Sequence, residues 1–241
     1  MRLVLLIALL VPAVSFPQSN EIWTSAGTSI GLPYNISVGV EEGLRMGGSA
    51  TTYTDVKLKY KLNKYVRFSG VWRNAQRGGF IAPDRIVNRF HIDAIGKYGL
   101  KPFTFRTRLR YQARYRDMLV SENGFIPRKH IRSAWSVAYS PMKKLELEAG
   151  AEFYIGLYAD QNYADKYRIN IGCSYAINSL HSVGIGYIFQ QEVQVYDPGS
   201  DNILAIAYSF DLNRYIKRLK KKEEEVIEED KINWYFSTSG N

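Results

Sequence analysis

Residues 103–114, FTFRTRLRYQAR, alternate strictly in character. Phe103, Phe105, Thr107, Leu109 and Tyr111 occupy the odd positions, and Thr104, Arg106, Arg108, Arg110, Gln112 and Arg114 the even ones. Side chains along a β-strand point to opposite faces with a period of two, so this segment has one apolar face and one strongly basic face. Its length constrains the fold as much as its alternation. A soluble strand runs about 5–6 residues, whereas a tilted strand that crosses a bilayer needs about 9–11.

The pattern recurs along the chain. Val56, Leu58, Tyr60 and Leu62 oppose Asp55, Lys57, Lys59 and Lys61. Val66, Phe68 and Trp72 oppose Arg67, Ser69 and Arg73, and Phe90, Ile92, Ala94 and Tyr98 oppose Arg89, His91, Asp93 and Lys97. Leu145, Leu147, Ala149, Ala151, Phe153 and Ile155 oppose Glu146, Glu148, Gly150, Glu152 and Tyr154. Similar segments begin near Ile36, Ile131, Tyr167, Val183 and Leu204, and Glu42 interrupts the apolar face of the second. The first segment, from Ile22, is small and polar and carries the weakest pattern.

Connections alternate in length. Short ones such as Leu32-Pro33-Tyr34-Asn35, Leu62-Asn63-Lys64-Tyr65 and Ile177-Asn178-Ser179-Leu180 carry turn-forming residues, and longer ones such as 74–88 and 115–127 lie between them. Short turns at one end and long loops at the other are the asymmetry of an outer-membrane barrel. A lipocalin-like barrel also alternates, with its apolar side chains inward. The apolar faces here carry too many large side chains for a small barrel, whose interior a few layers of side chains fill. They fit an outer surface that covers a lipid band about 25 Å tall. The fold class expected is therefore all-β: an antiparallel transmembrane barrel of 10–12 strands over residues 20–212.

With that facing, Tyr65, Tyr98, Tyr139 and Tyr175 near the short turns, and Trp72 and Tyr111 near the long loops, form interfacial girdles. The lumen receives Arg67, Arg89, Asp93, Arg106, Arg108, Arg110, Arg132, Glu146, Glu148 and Glu152. Long Arg and Glu side chains can pair across a narrow bore and close it. An Arg-lined pore that favours anions is the alternative.

Residues 1–19 read as a signal peptide. Arg2 precedes the apolar run LVLLIALLVPAV, and the cleavage site falls within 15–19. The run is too short to span a membrane as a helix. Residues 213–241 form a charged tail in blocks of Lys and Glu, helical in pattern, in which 231–239 reads as a further strand. Bacterial single-chain barrels have even strand numbers. Parity favours twelve strands with 231–239 the last, or ten if the first segment lies outside the wall.

The formal charge of +9 points to anionic lipid headgroups or a charged lumen, since an exported protein rarely meets nucleic acid. The single cysteine, Cys173, excludes an internal disulfide and any Cys-based zinc site. His91, His130 and His181 make no nucleophilic constellation, and no phosphate loop or paired metal ligands occur. No cofactor is expected, and a lipid-modifying enzyme is the least favoured of the function classes. The expected partners are outer-membrane lipids, and other envelope proteins that meet the long loops or the tail.

The segments IWTSAG, EEGLR at 41–45, YKLNKYV at 60–66, NRFHIDA at 88–94 and FRTRLRYQ at 105–112 resemble the DUF2490 family of uncharacterised proteins, found mainly in Bacteroidota. The resemblance covers roughly Ile22–Phe210. It implies an outer-membrane barrel and carries no assigned activity or catalytic residue. The charged tail after Leu212 extends beyond the usual end of the family.

Overall fold

The long alternating segments form strands, and the strands form one ring. The computed structural model describes residues 19–78, 85–116, 127–157, 162–193 and 198–219. Residues 1–18, which fall within the segment read above as a signal peptide over 1–19, lie outside the described residues, as do much of the long connections and residues 220–241. The strands are β1 (Ser19–Gly31), β2 (Ile36–Met46), β3 (Thr51–Lys61), β4 (Val66–Arg77), β5 (Arg85–Leu100), β6 (Phe103–Arg116), β7 (Arg128–Met142), β8 (Leu145–Leu157), β9 (Asn162–Ala176), β10 (His181–Glu192) and β11 (Ser200–Asp211). Consecutive strands pair antiparallel, and β1 pairs with β11 to close the barrel.

This ring corrects the parity expectation. The described residues close with eleven strands, and β1 is a full wall strand bonded on both sides. The closing pair is parallel, with Ile22 opposite Leu204, Ser25 opposite Ala207 and Thr28 opposite Phe210. An even count is needed only when every pair, the closing one included, is antiparallel; one parallel seam accommodates an odd number. Residues 231–239, assigned above as a twelfth strand, lie outside the described residues, and the ring is complete without them. Because β1 and β11 run the same way, β1 begins at the long-loop mouth and β11 ends at the short-turn mouth.

The seam gives a direct test. Ser25 and Ala207 face the lumen as register partners, at a separation that suits a disulfide. Cysteines placed at both positions should form an intramolecular crosslink on mild oxidation, read as a mobility shift on a non-reducing gel. Absence of the crosslink in folded protein would overturn the parallel closure.

The barrel is inverted relative to a soluble protein. Its outer wall exposes Leu58, Ile92, Leu109, Trp135, Phe153 and Ile171, each more than half accessible. Its buried groups include Asp55, His91, Asp93, Gln112, Arg132 and Glu152, with Asp55 2% and Asp93 3% accessible. Charged side chains are almost never fully buried unless paired, and a contiguous apolar wall of this extent has no stable exposure to water. The exterior has a polar upper limit. Glu42, Thr54, Asn74 and Asn88 are register partners across β2 to β5 on the outer face at the long-loop end. They bond to one another and to the girdle: Thr54 Oγ1 donates to Glu42 at 2.8 Å, and Trp72 Nε1 and Asn74 Nδ2 both donate to Asn88 Oδ1 at 3.2 Å. Glu42, an exception in the sequence pattern, thus belongs to the row where the apolar band ends.

At the short-turn mouth, residues 212–219 form a helix, α1. Asp211 caps it by accepting from the Arg214 N–H at 3.1 Å. Asn213 Oδ1 accepts from the Gly31 N–H at 2.6 Å, and Arg214 donates to the Ser179 carbonyl at 2.9 Å. The helix is thereby fixed to the turns that follow β1 and β9. At the first of these turns Tyr34 and Asn35 both take positive φ, 60° and 61°, the conformation a tight hairpin requires at its two central residues.

Candidate functional site: the lumen

Strand alternation sends every second side chain inward, and the register then decides which charges meet. Asp55 on β3 accepts from Nε and Nη2 of Arg73 on the adjacent β4, with Nη2 to Oδ2 at 2.7 Å. Asp93 on β5 takes Arg110 on β6 in the same bidentate way, at 2.6 and 2.8 Å. Such fork-to-fork pairs are the strong form of charge-assisted hydrogen bond. Glu152 on β8 is the hub. Arg132 Nη2 donates to both its oxygens at 2.8 Å, Arg108 Nη2 to Oε1 at 2.5 Å and Tyr154 Oη to Oε2 at 3.0 Å. Nearer the short-turn mouth, Arg106 reaches across β7 to Glu146 and Glu148, each at 2.8 Å. Arg67 stands exposed at that same mouth. All ten residues assigned to the lumen above face it, and among the described residues Arg67 and Arg89 are the two of them that make no ion pair.

A second arrangement was not foreseen from the sequence. Arginines and aromatic rings interleave along the inner wall and meet across the bore at one contact. Arg73 lies 4.0 Å and Arg45 5.2 Å from the Tyr53 ring, Arg45 lies 4.1 Å from Trp23, and Arg168 lies 5.2 Å from Trp23 and 5.0 Å from Tyr154. Arg132 completes the series 4.3 Å from Tyr154. Desolvated cation–π contacts of this kind contribute about 2 kcal/mol each. Trp23 on β1 and Arg168 on β9 are separated in the wall by β11 and β10, so their contact is a chord through the interior. Gly43 makes room for the layer: a Cβ there would fall 2.2 Å from Cζ of Tyr53. The one signal in the sequence was Trp23 itself, a large ring on an otherwise small face of Ser25, Gly27 and Ser29.

The opposite wall is smooth. Gly172, Gly184, Gly186, Ala205 and Ala207 line a cavity of about 420 Å³ bounded on its far side by Arg108, Glu146 and Glu152. A second cavity of about 490 Å³ shares Ala207 and continues to the short-turn mouth past Ser29, Lys59 and Asn213. The interior thus has a charged, filled half on β3 to β8 and an open half on β9 to β11.

The six aromatics assigned to girdles lie exposed at the outer wall and its turns. Tyr65 stacks on Tyr98 with ring centroids 6.3 Å apart, and Phe103 on Tyr139 at 5.3 Å. His181 also faces outward, its Nδ1 2.6 Å from Tyr208 Oη, whereas Ser182 faces in and bonds Ser209 at 2.6 Å. The two therefore share no site. No group of metal-ligating side chains occurs among the described residues.

An all-β ring with an apolar exterior, an aromatic rim and a salt-bridged interior defines a membrane-spanning β-barrel. The chain belongs to the DUF2490 family, whose description is "protein of unknown function" and whose model matches residues 20–197. The match begins with β1 and stops before β11, the strand that closes the ring. No curated protein matches the chain. Among solved structures it is similar to the KdgM porin, with TM-score 0.47 and 12% identity, covering 68% of this chain and 81% of that one. It is also similar to the translocator domain of autotransporter NalP from Neisseria meningitidis, with TM-score 0.41 and 11% identity, covering 71% and 73%.

Proposed function

We propose that the protein is a non-enzymatic barrel of the bacterial outer membrane. Its lumen is closed by paired charges, and its long loops or charged tail meet other envelope components. The leader-like segment at the N-terminus supports export. The observation that carries the closed lumen is the Trp23–Arg168 contact, a chord from β1 to β9 that joins the Arg45–Tyr53 pair on one side of the bore to the Arg168–Tyr154 pair on the other. Planar-bilayer recording tests it. Wild-type protein is expected to give no unitary current, and the combined substitutions Trp23→Ala and Tyr154→Ala should let current appear. A steady current from the wild type would overturn the closed reading.

The cavities along the Gly/Ala wall favour a second reading, a narrow path for small anionic solutes. Under it the wild type conducts with anion preference, and replacing Arg106, Arg108 and Arg110 together by glutamine abolishes that preference. Unchanged selectivity in the triple variant would exclude it.

A further inference from the structure

One inward-facing row of the sheet is unlike the others. Across β2 to β7 its register partners are Glu41, Asp55, Arg73, Arg89, Arg114 and Arg128. Two acids are followed by four arginines on four successive strands. Like charges directly opposite one another on neighbouring strands are destabilising. The acids do not offset the row. Asp55 is engaged by Arg73, and Glu41 by Lys57 at 2.5 Å. Arg89 has Arg73 and Arg114 as its register partners on the two sides, and Arg114 has Arg89 and Arg128, every one positive. Asp165, which lies 3.3 Å from His130, acts near Arg128 at the end of the row. The next row inward, Val71, His91, Gln112 and His130, separates the arginines from Asp93.

Two donors here have nowhere to go. Nε of Arg89 in the row, and Nε of Arg45 four residues beyond Glu41 on β2, are sealed from solvent and have no acceptor among the described residues. An unmet buried donor on a charged group is costly, and a guanidinium fork matches phosphate or carboxylate geometry. We infer that Arg89 and Arg114, flanked by Arg45, form a binding site for a compact, multiply charged oxyanion of the phosphate type at the long-loop mouth of the lumen. The site lies on the mouth side of the paired Asp93 layer and needs no passage through the bore, so it is independent of whether the lumen conducts.

Calorimetric titration of inorganic phosphate into the full chain, held in non-ionic detergent at low chloride, tests the site. Saturable binding is expected, weakened about tenfold or more by Arg89→Gln. Arg67→Gln, which removes the same charge at the opposite mouth, should leave it unchanged. Because Arg89→Gln relieves repulsion, the variant is expected to fold at least as well as the wild type, and a thermal melt in detergent checks this. Doping the micelles with phosphatidic acid distinguishes the source of the oxyanion. Displacement of phosphate assigns the site to a lipid headgroup and undisturbed binding assigns it to a soluble anion, and either result keeps the site. No saturable binding to the wild type, or equal weakening by Arg89→Gln and Arg67→Gln, would overturn it.

Discussion

Replacing Glu152 by glutamine is expected to lower the stability of the folded barrel by about 3–5 kcal/mol, the cost of breaking a buried ion pair from one side. The reason is local and specific. Glu152 is 6% accessible, accepts from Arg132, Arg108 and Tyr154, and has Arg168 3.7 Å away. Its loss leaves three guanidinium groups near one another without their shared acceptor. Glu146→Gln makes the contrast. Glu146 also pairs with an arginine, but its side chain is 33% accessible and that of Arg106 is 28%. Solvent screens that pair, so the expected loss is only about 0–1 kcal/mol. Denaturant unfolding in lipid vesicles, followed by tryptophan fluorescence, measures both. Equal effects from the two substitutions would show that Glu152 is not the centre of the interior network.

The second large effect concerns the outer wall. Ile171 lies within β9, opposite Ala149 and Tyr187, with 56% of its surface exposed. Arginine there would place a charge among acyl chains, at an expected cost of about 2–4 kcal/mol near the midplane. Gln76→Arg, on the outer face beside the Asn74–Asn88 row, should cost about 0–1 kcal/mol because that level meets headgroups. The same unfolding measurement ranks the two. If Ile171→Arg were as well tolerated as Gln76→Arg, the apolar wall would not be the lipid-facing surface.

Much of the interior follows from reading single strands. Arg106, Arg108 and Arg110 share a face because they are two residues apart, and Glu146, Glu148 and Glu152 share one for the same reason. That these two sets face the same lumen follows once the apolar surface is given to lipid. Which carboxylate meets which guanidinium does not follow. Arg108 goes to Glu152 and Arg110 to Asp93, in opposite directions around the ring, because strand register and side-chain length set the reach. The row of Arg73, Arg89, Arg114 and Arg128 was equally hidden. Each residue reads as an ordinary lumen arginine on its own strand, and only the register shows that they are directly opposed.

The sequence by itself determined that the chain makes long two-faced strands, that the apolar face outgrows any interior it could fill, and that the basic face lines a bore. Those are local properties, set by a side-chain period of two and by strand length. The tertiary structure alone decided that the ring closes with eleven strands through a parallel β1–β11 seam. It alone brought Trp23 to Arg168 across the interior. Closure joins residues from the two ends of the chain, and a chord through the bore joins strands that never pair. No periodicity along one strand encodes either.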